Sequence, residues 1–324
     1  MKAILFNEYG SPDVLQVVDQ EIPQIKENEV LVEVKAVGVN YADTARREGQ
    51  YVVPTELPFT PGAEVAGIVT EVGAKVQHVK KGMRIVALIE SGGYSEYVAL
   101  PAATIIPVPD GVAFETAVAL PLQGLSAYHI LKTMGRLQEG ETVLVHAAAG
   151  GVGSLAVQLA KLFGAGKVIA TASTEEKREF AKELGADEMV NYTVDGWEQR
   201  VRELTDGKGV DVAMEMVGGE VFHKTVKCLA PFGRLVIYGA ASGEQAKFYP
   251  GSLMKRNQSV IGFFLPQIMR HPQLLQESLQ HLLGYVSNGD LQLTIGGTYP
   301  LTEAREVHRL LQGRKTKGKL VLIP

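Results

Sequence analysis

Cysteine is almost missing from this sequence: its 324 residues contain one, Cys228. That excludes an intramolecular disulfide and any zinc site built from several thiolates. Long apolar runs are missing as well, since stretches such as 143–149 and 259–265 are short and flanked by polar residues or Gly. The opening MKAILFNEYG lacks the extended apolar centre and small-residue cleavage site of a secretory signal and reads as a strand followed by a turn. The expectation is a soluble, cytoplasmic protein with no membrane partner. Neither charge dominates, with 32 Lys+Arg against 36 Asp+Glu and a net of −4, which argues against a broad nucleic-acid-binding face. Repeats, low-complexity segments and blocks of like charge are absent too, so organisation has to be read from periodicity and punctuation.

What is present is an ordinary globular balance, 46% hydrophobic and 21% charged residues. At roughly 100–200 residues per domain, the length suggests about two domains. Two textures divide it. From Met1 to about Leu120 the chain is strand-like, with runs such as VLVEVKAVGV, EVAGIVTEVG and MRIVALI separated by Gly, Pro and charged turns, which suggests a compact barrel. From about Gln123 to Gly262, apolar strands alternate with helices. VLVHAA, KVIATA, EMVNY, VDVAMEMV, GRLVIYGA and QSVIGFFL predict a doubly wound parallel sheet whose ligands sit at the carboxyl ends of the strands. After Phe264 the pattern predicts a helix to about Ser287, a short strand pair near 291–301, a helix over 303–311 and a final strand KLVLI. This tail is expected to return to the first domain.

The strand VLVHAA runs directly into AAAGGVG, residues 147–153, and then into the helical LAVQLAKLFG. A glycine-rich turn from strand to helix lets the backbone approach a pyrophosphate, and the helix amino terminus supplies unpaired N–H donors. Against G-x-G-x-x-G, Gly150 and Gly153 are the second and third glycines, Ala148 replaces the first, and Gly151 adds freedom. The second strand carries no acid at its tip, where an NAD site would have one for the ribose hydroxyls. Ser173 and Lys177 there can instead meet a 2′-phosphate, which favours NADPH. Glu175 and Glu176 run against this but also suit the first turn of a helix, and Lys177 and Arg178 can be read as ordinary solvated helix charges.

These residues, with VNYADTARREGQY and PFTPGAEVAGIVTEVG, resemble the zinc-independent quinone oxidoreductases of the medium-chain dehydrogenase/reductase superfamily, the zeta-crystallin-like group. The likeness covers essentially the full chain, with the stretches 40–51, 61–73, 123–128 and 147–158 and a closing GKLVL in the family's order. It implies an α/β protein: a Rossmann domain over residues 123–264 that binds NADPH, and a GroES-like β-barrel catalytic domain from residues 1–122 and 265–324. It also implies a homodimer joined through the Rossmann sheets and a cofactor in the interdomain cleft. For the cofactor, the resemblance points to Gln123 and Ser126, to Gly150, Gly151 and Val152 at the pyrophosphate, and to Lys177 and Tyr192 at the 2′-phosphate. Gly239, Ala240, Phe263, Phe264 and Leu265 would line the nicotinamide, and Lys317 is a further contact. Read from residue type alone, Tyr192 and the two phenylalanines serve equally well in a core.

Zinc-dependent relatives carry a Cys ligand where this chain has Asn40, and a His ligand where it has Ala63, within Gly62-Ala63-Glu64. Catalytic zinc needs three protein ligands and an open position, which Glu64 alone does not provide, so no metal is expected. His146, beside the glycine loop, reads as a strand-end residue. Without a Lewis acid, electron-poor acceptors remain: a quinone, or a C=C bond conjugated to a carbonyl, takes hydride while negative charge spreads onto oxygen. Asn40 offers an amide donor to that oxygen and Tyr51 a phenol, with Tyr41 and Arg47 as further members of this surface. A turn-forming Asn40 and a half-buried loop Tyr51 are the plainer alternatives. The expected function is hydride transfer from NADPH to a quinone or activated α,β-unsaturated carbonyl. A 2-enoyl-thioester reductase and a non-catalytic NADPH-binding protein stay open as rivals.

Overall fold

The structure, a computed structural model, describes residues 1–244 and 246–324. The chain divides into two compact units, one formed by Met1–Leu122 with Leu293–Pro324 and the other by Gln123–Gln292.

The first unit opens with an antiparallel pair, β1 (Lys2–Leu5) and β2 (Gln16–Asp19). There follow β3 (Glu29–Val39), helix α1 (Tyr41–Arg47), β4 (Glu64–Val72), β5 (Arg84–Leu88), β6 (Tyr97–Pro101), β7 (Ile105–Pro107) and the short α2 (Phe114–Ala117). Strand β3 is the centre: it pairs antiparallel with β4 on one edge and with β6 on the other. Its apolar positions Val30, Val32 and Val34 join Val65, Val69, Ile85 and Leu100 in one core. The period-two alternation is what places them on one face.

Helix α3 (Pro121–His129) leads into the second unit. Here β8 (Thr142–Val145), α4 (Gly151–Leu162), β9 (Lys167–Thr171), α5 (Glu175–Glu183), β10 (Glu188–Val190), α6 (Trp197–Glu203), β11 (Val210–Glu215), α7 (Gly219–Cys228), β12 (Leu229–Ile237) and β13 (Ser259–Gly262) alternate as the pattern predicts. The sheet order is β10-β9-β8-β11-β12-β13 with every pair parallel, a doubly wound sheet whose order reverses beside its first strand.

The carboxyl-terminal part differs from the sequence expectation in three ways. The second unit runs through Gln292 rather than ending at residue 264, because the helices after β13 are tied to it by side chains. His129 Nε2 meets Ser278 Oγ at 3.1 Å, Tyr128 Oη meets His281 Nδ1 at 2.9 Å, and the Gln292 N–H donates to Gln158 Oε1 at 2.8 Å. The expected single helix is split into α8 (Leu265–Met269) and α9 (Pro272–Asn288), since Pro272 has no N–H to donate and disfavours helical backbone at His271. In place of a strand pair near 291–301 there is one strand, β14 (Ile295–Pro300), whose partner is the chain's last strand. After α10 (Ala304–Gln312), that strand, β15 (Lys319–Ile323), inserts between β14 and β3 in the first unit's sheet.

Candidate active site

The parallel sheet brings most of the cofactor candidates to one edge. Gly150–Val152 follow the carboxyl end of β8, Ser173 and Lys177 follow β9, and Tyr192 follows β10. Gly239 and Ala240 follow β12, and Phe263, Phe264 and Leu265 follow β13. Parallel strands point their carboxyl ends one way, so residues scattered over more than a hundred positions share that edge.

Gly150 is the N-cap residue of α4, with no side chain capping the helix, so the first-turn N–H groups are not covered from within. The glycines have separate duties. A Cβ on Gly153 would lie 2.2 Å from the Ala147 carbonyl oxygen, and one on Gly151 would strike the buried Gln123 amide at 2.1 Å. Both are required by the protein's own packing. A Cβ on Gly150 would meet only the Ala147 oxygen, at 3.2 Å, a tight contact rather than a clash. An open, uncapped helix terminus behind a glycine turn fits a pyrophosphate. Ser126 is buried on α3 one turn beyond Gln123.

Thr174 caps α5 by accepting the Lys177 N–H at 3.3 Å, which fixes the turn carrying Ser173. Arg178 is committed to Glu175 and to the Ala172 carbonyl. Tyr192 rides an Asx turn in which Asn191 Oδ1 accepts from the Thr193 N–H (3.0 Å) and hydroxyl (2.7 Å), and its ring packs on the core beneath. A residue the sequence reading passed over, Glu215, ends β11 on this same edge. Its Oε1 accepts the Val217 and Gly218 N–H groups at 2.7 and 3.0 Å, and burial raises its carboxyl above the usual range. An acid closing an apolar strand was the available signal.

In the first unit, Asn40 stands at the head of α1, and its amide is committed to the protein. Nδ2 donates to Glu64 Oε1 at 2.9 Å and to the Gly38 carbonyl at 3.3 Å, while Oδ1 accepts from Lys319 Nζ at 2.8 Å. Both amide protons offered in the sequence reading to a substrate oxygen are therefore spent internally. Lys319 also pairs with Glu64, whose other oxygen accepts the Leu122 N–H at 2.9 Å. Gly38 makes room, because a Cβ there would fall 2.4 Å from Glu64 Oε1 and 2.6 Å from Lys319 Cε. Lys317, the lysine singled out from the sequence, lies in the loop before β15; the buried one is Lys319, betrayed only as a charge opening an apolar strand.

A second buried chain adjoins this node. Asp43 accepts the Asn40 N–H at 2.8 Å and the Gly62 N–H at 3.3 Å, and Tyr94 Oη lies 3.5 Å from it. Tyr94 meets His308 Nε2 at 3.0 Å, and Arg47 donates to His308 Nδ1 at 3.1 Å. Burial pushes Asp43 up to about 6, while burial and then the Arg47 charge pull His308 down to about 3, so its imidazole is neutral. Arg47 is fully buried, bonded also to the Gly10 carbonyl, Glu48 and Gln312. It is a strut rather than part of an accessible surface, whereas Tyr41 is exposed.

Tyr51 stands in the loop after α1 with its ring against Arg46, whose guanidinium carbon lies 4.1 Å from the ring centroid. Burial raises the phenol above its ordinary value, which keeps it protonated at neutral pH. The neighbouring Val52, Val53 and Leu57 are exposed, Val52 to 72%, so an apolar rim adjoins the hydroxyl-bearing residue. His146 is held between Thr171 Oγ1 (2.9 Å) and Thr225 Oγ1 (2.8 Å), with burial lowering it to about 4. Among the described residues no three His, Cys, Asp or Glu side chains gather as a metal ion would require, and no helix is long and apolar enough to cross a membrane.

Residues 26–110 match the family described as the alcohol dehydrogenase GroES-like domain, and residues 151–280 the one described as zinc-binding dehydrogenase. A quinone oxidoreductase of Pseudomonas aeruginosa is 38% identical over 325 residues, covering 100% of this chain and 99% of the relative. The crystal structure of Escherichia coli quinone oxidoreductase complexed with NADPH superposes with a TM-score of 0.95 at 35% identity, covering both chains completely. The quinone oxidoreductase from Thermus thermophilus, also solved with NADPH, gives 0.88 at 37% identity, again over both full chains. With the doubly wound sheet, the glycine turn and the split first unit already in place, these likenesses make the chain a member of the zeta-crystallin-like quinone oxidoreductase family of the medium-chain dehydrogenase/reductases.

Proposed function

We propose that this protein is an NADPH-dependent reductase of quinones and activated α,β-unsaturated carbonyls that works without zinc. The observation that carries the reading is the amino terminus of α4 at Gly150, which follows a glycine turn and has no side chain capping it. The relatives named quinone oxidoreductase, two of them solved with NADPH, support it.

In this reading Gly150, Gly151 and Val152 bind the pyrophosphate, with Gln123 and Ser126 bracing the turn. Ser173, Lys177 and Tyr192 bind the 2′-phosphate, and Gly239, Ala240, Phe263, Phe264 and Leu265 line the nicotinamide. Lys317 is a further cofactor contact. NADPH, when bound, supplies a hydride from nicotinamide C4. Tyr51 Oη supplies a proton to the acceptor oxygen as negative charge collects there, and the phenol regains a proton from water. The exposed Val52, Val53 and Leu57 give a flat, apolar acceptor a surface to rest on. Asn40 acts as a positioning residue, since its amide is bonded to Glu64, Gly38 and Lys319. The donor set supports chemistry without zinc: Asn40 Oδ1 and the Glu64 carboxylate are engaged by the Lys319 ammonium, and Ala63 has no donor.

A homodimer joined at the parallel sheets and a cytoplasmic location complete the proposal. In support of the first, β13 is the last strand of its sheet, and Tyr249 and Met254 on the segment before it are exposed.

NADPH consumption across quinones, 2-alkenals, enones and crotonyl-CoA, repeated with NADH, tests the function. Turnover of quinones or enones with NADPH preferred is the expected result. NADH used at least as well would overturn the assignment of Ser173 and Lys177, crotonyl-CoA as the preferred acceptor would make this an enoyl-thioester reductase, and binding without turnover would leave a non-catalytic NADPH protein.

A further inference from the structure

The loop from Glu48 to Phe59 is folded around one cation. Arg46, in the last turn of α1, stacks its guanidinium carbon 4.1 Å from the Tyr51 centroid and 5.2 Å from that of Phe59, and its Nη1 donates to Thr55 Oγ1 at 3.4 Å. A cation between two rings is attracted by both quadrupoles. The far end of the loop is fixed to the sheet, where Phe59 exchanges two 3.0 Å backbone hydrogen bonds with Phe6 and the two rings lie 5.6 Å apart. Its middle is tied by Tyr9 Oη, which donates to the Thr55 carbonyl at 2.6 Å. Between these ties Tyr51 rests on Arg46, and the cation's position at the end of α1 is favoured by the helix dipole.

We propose that Arg46 is a positioning residue that sets acceptor choice: by stacking on Tyr51 it holds the phenol in place and favours acceptors that must be protonated on oxygen, enones, over quinones. The inference rests on the reading of Tyr51 as proton donor. An enone takes the hydride pair at its β-carbon, its C=C π pair moves to make an enolate, and the Tyr51 O–H bond breaks as the enol O–H bond forms; NADPH is the reductant and the enone the oxidant. The hydroquinone anion formed from a quinone is stabilised by its new aromatic ring and can take its proton from solvent after the hydride has moved, so it depends less on a placed donor. Two charged groups bear on the phenol: Arg46, which draws its titration down, and Asp43, which pushes it up, both acting beneath the larger effect of burial.

The test compares Arg46→Met and Arg46→Lys in the full-length protein, alone and with Tyr51→Phe. The ratio of enone to quinone kcat/KM should fall about fivefold or more in Arg46→Met, stay within about threefold in Arg46→Lys, and fall no further when Arg46→Met is added to Tyr51→Phe. Hydrogen exchange of peptides spanning residues 48–59 should quicken in Arg46→Met and much less in Arg46→Lys. An unchanged ratio, or an equal fall in the Tyr51→Phe background, would overturn the role in acceptor choice, and unchanged exchange would overturn the hold on the loop. A wild-type protein that reduces neither acceptor refutes the functional reading and the acceptor preference with it, while the exchange result still decides whether Arg46 holds Tyr51.

Discussion

Lys319 and Glu64 lie 255 positions apart and form an ion pair whose side chains are 1% and 0% exposed. With Asn40 bonded to both, this pair joins the end of β3, the start of β4 and the start of β15.

Removing one partner strands the other charge in the interior, so Lys319→Met should lower unfolding free energy by about 3–5 kcal/mol. Adding Glu64→Gln removes the stranded charge and should recover more than half of that loss. Urea unfolding of the single and double variants measures both. A double variant as unstable as the single would mean that packing, not charge, is what Lys319 supplies.

Tyr51→Phe keeps the ring stacked on Arg46 and deletes only the hydroxyl. Turnover of an enone should fall about tenfold or more, with a smaller loss on a quinone. Equal and negligible losses on both would remove Tyr51 from the chemistry.

The two glycines at the helix start separate binding from folding. Gly153→Ala drives a Cβ to 2.2 Å from the Ala147 oxygen and should lower both the unfolding midpoint and NADPH affinity. Gly150→Ala meets the same oxygen at 3.2 Å, a tight contact but a full ångström looser, so its midpoint should fall less than that of Gly153→Ala while NADPH binding weakens by about tenfold or more. Thermal unfolding and quenching of NADPH fluorescence report the two effects. A Gly150→Ala protein that binds NADPH normally would contradict the pyrophosphate assignment.

Burial lowers His129 and His146 to about 4 each, and burial with the Arg47 charge lowers His308 to about 3. Between pH 6.5 and 4 the unfolded chain binds protons at these sites that the folded one refuses, so stability falls as pH falls, on the order of 3 kcal/mol for His146 alone. Asp43, raised to about 6, acts in the opposite sense: the folded state holds its proton more tightly, and the stability it contributes is present below about pH 4 and lost as pH rises through 6. Glu215, also raised by burial, acts with Asp43, but three histidines outweigh two carboxyls, so urea unfolding should show net loss on acidification from pH 7 to 5, with a shallower slope in His146→Gln.

Phe232 is 67% exposed and holds a left-handed φ of 62°. A bulky side chain strains that conformation and here has little packing to lose, so Phe232→Gly should stabilise the protein by about 0.5–1 kcal/mol. A lower unfolding midpoint in this variant would mean that the ring makes a contact worth more than the strain.

The sequence by itself determined the alternation of strand and helix and the glycine turn before α4, because each is written in neighbouring residues: a period of two, a period of 3.6, a Gly that cannot carry a Cβ. It also placed Ser173, Lys177 and Tyr192 after the carboxyl ends of their strands, because parallel strands bring those ends to one edge whatever the loops between them. Only tertiary structure decided what Asn40 bonds to. That depends on β15 pairing with β3 in the register Leu320 to Val39, which carries Lys319 to Asn40 and Glu64 and uses up the amide that looked available. The same holds for Arg46 and Tyr51, close in sequence but joined by a loop whose course Phe6, Tyr9 and Phe59 set. Side-chain partners chosen across a sheet or around a loop leave no local period in a sequence, and the charge balance of a buried site becomes visible only once its members are brought out of water together.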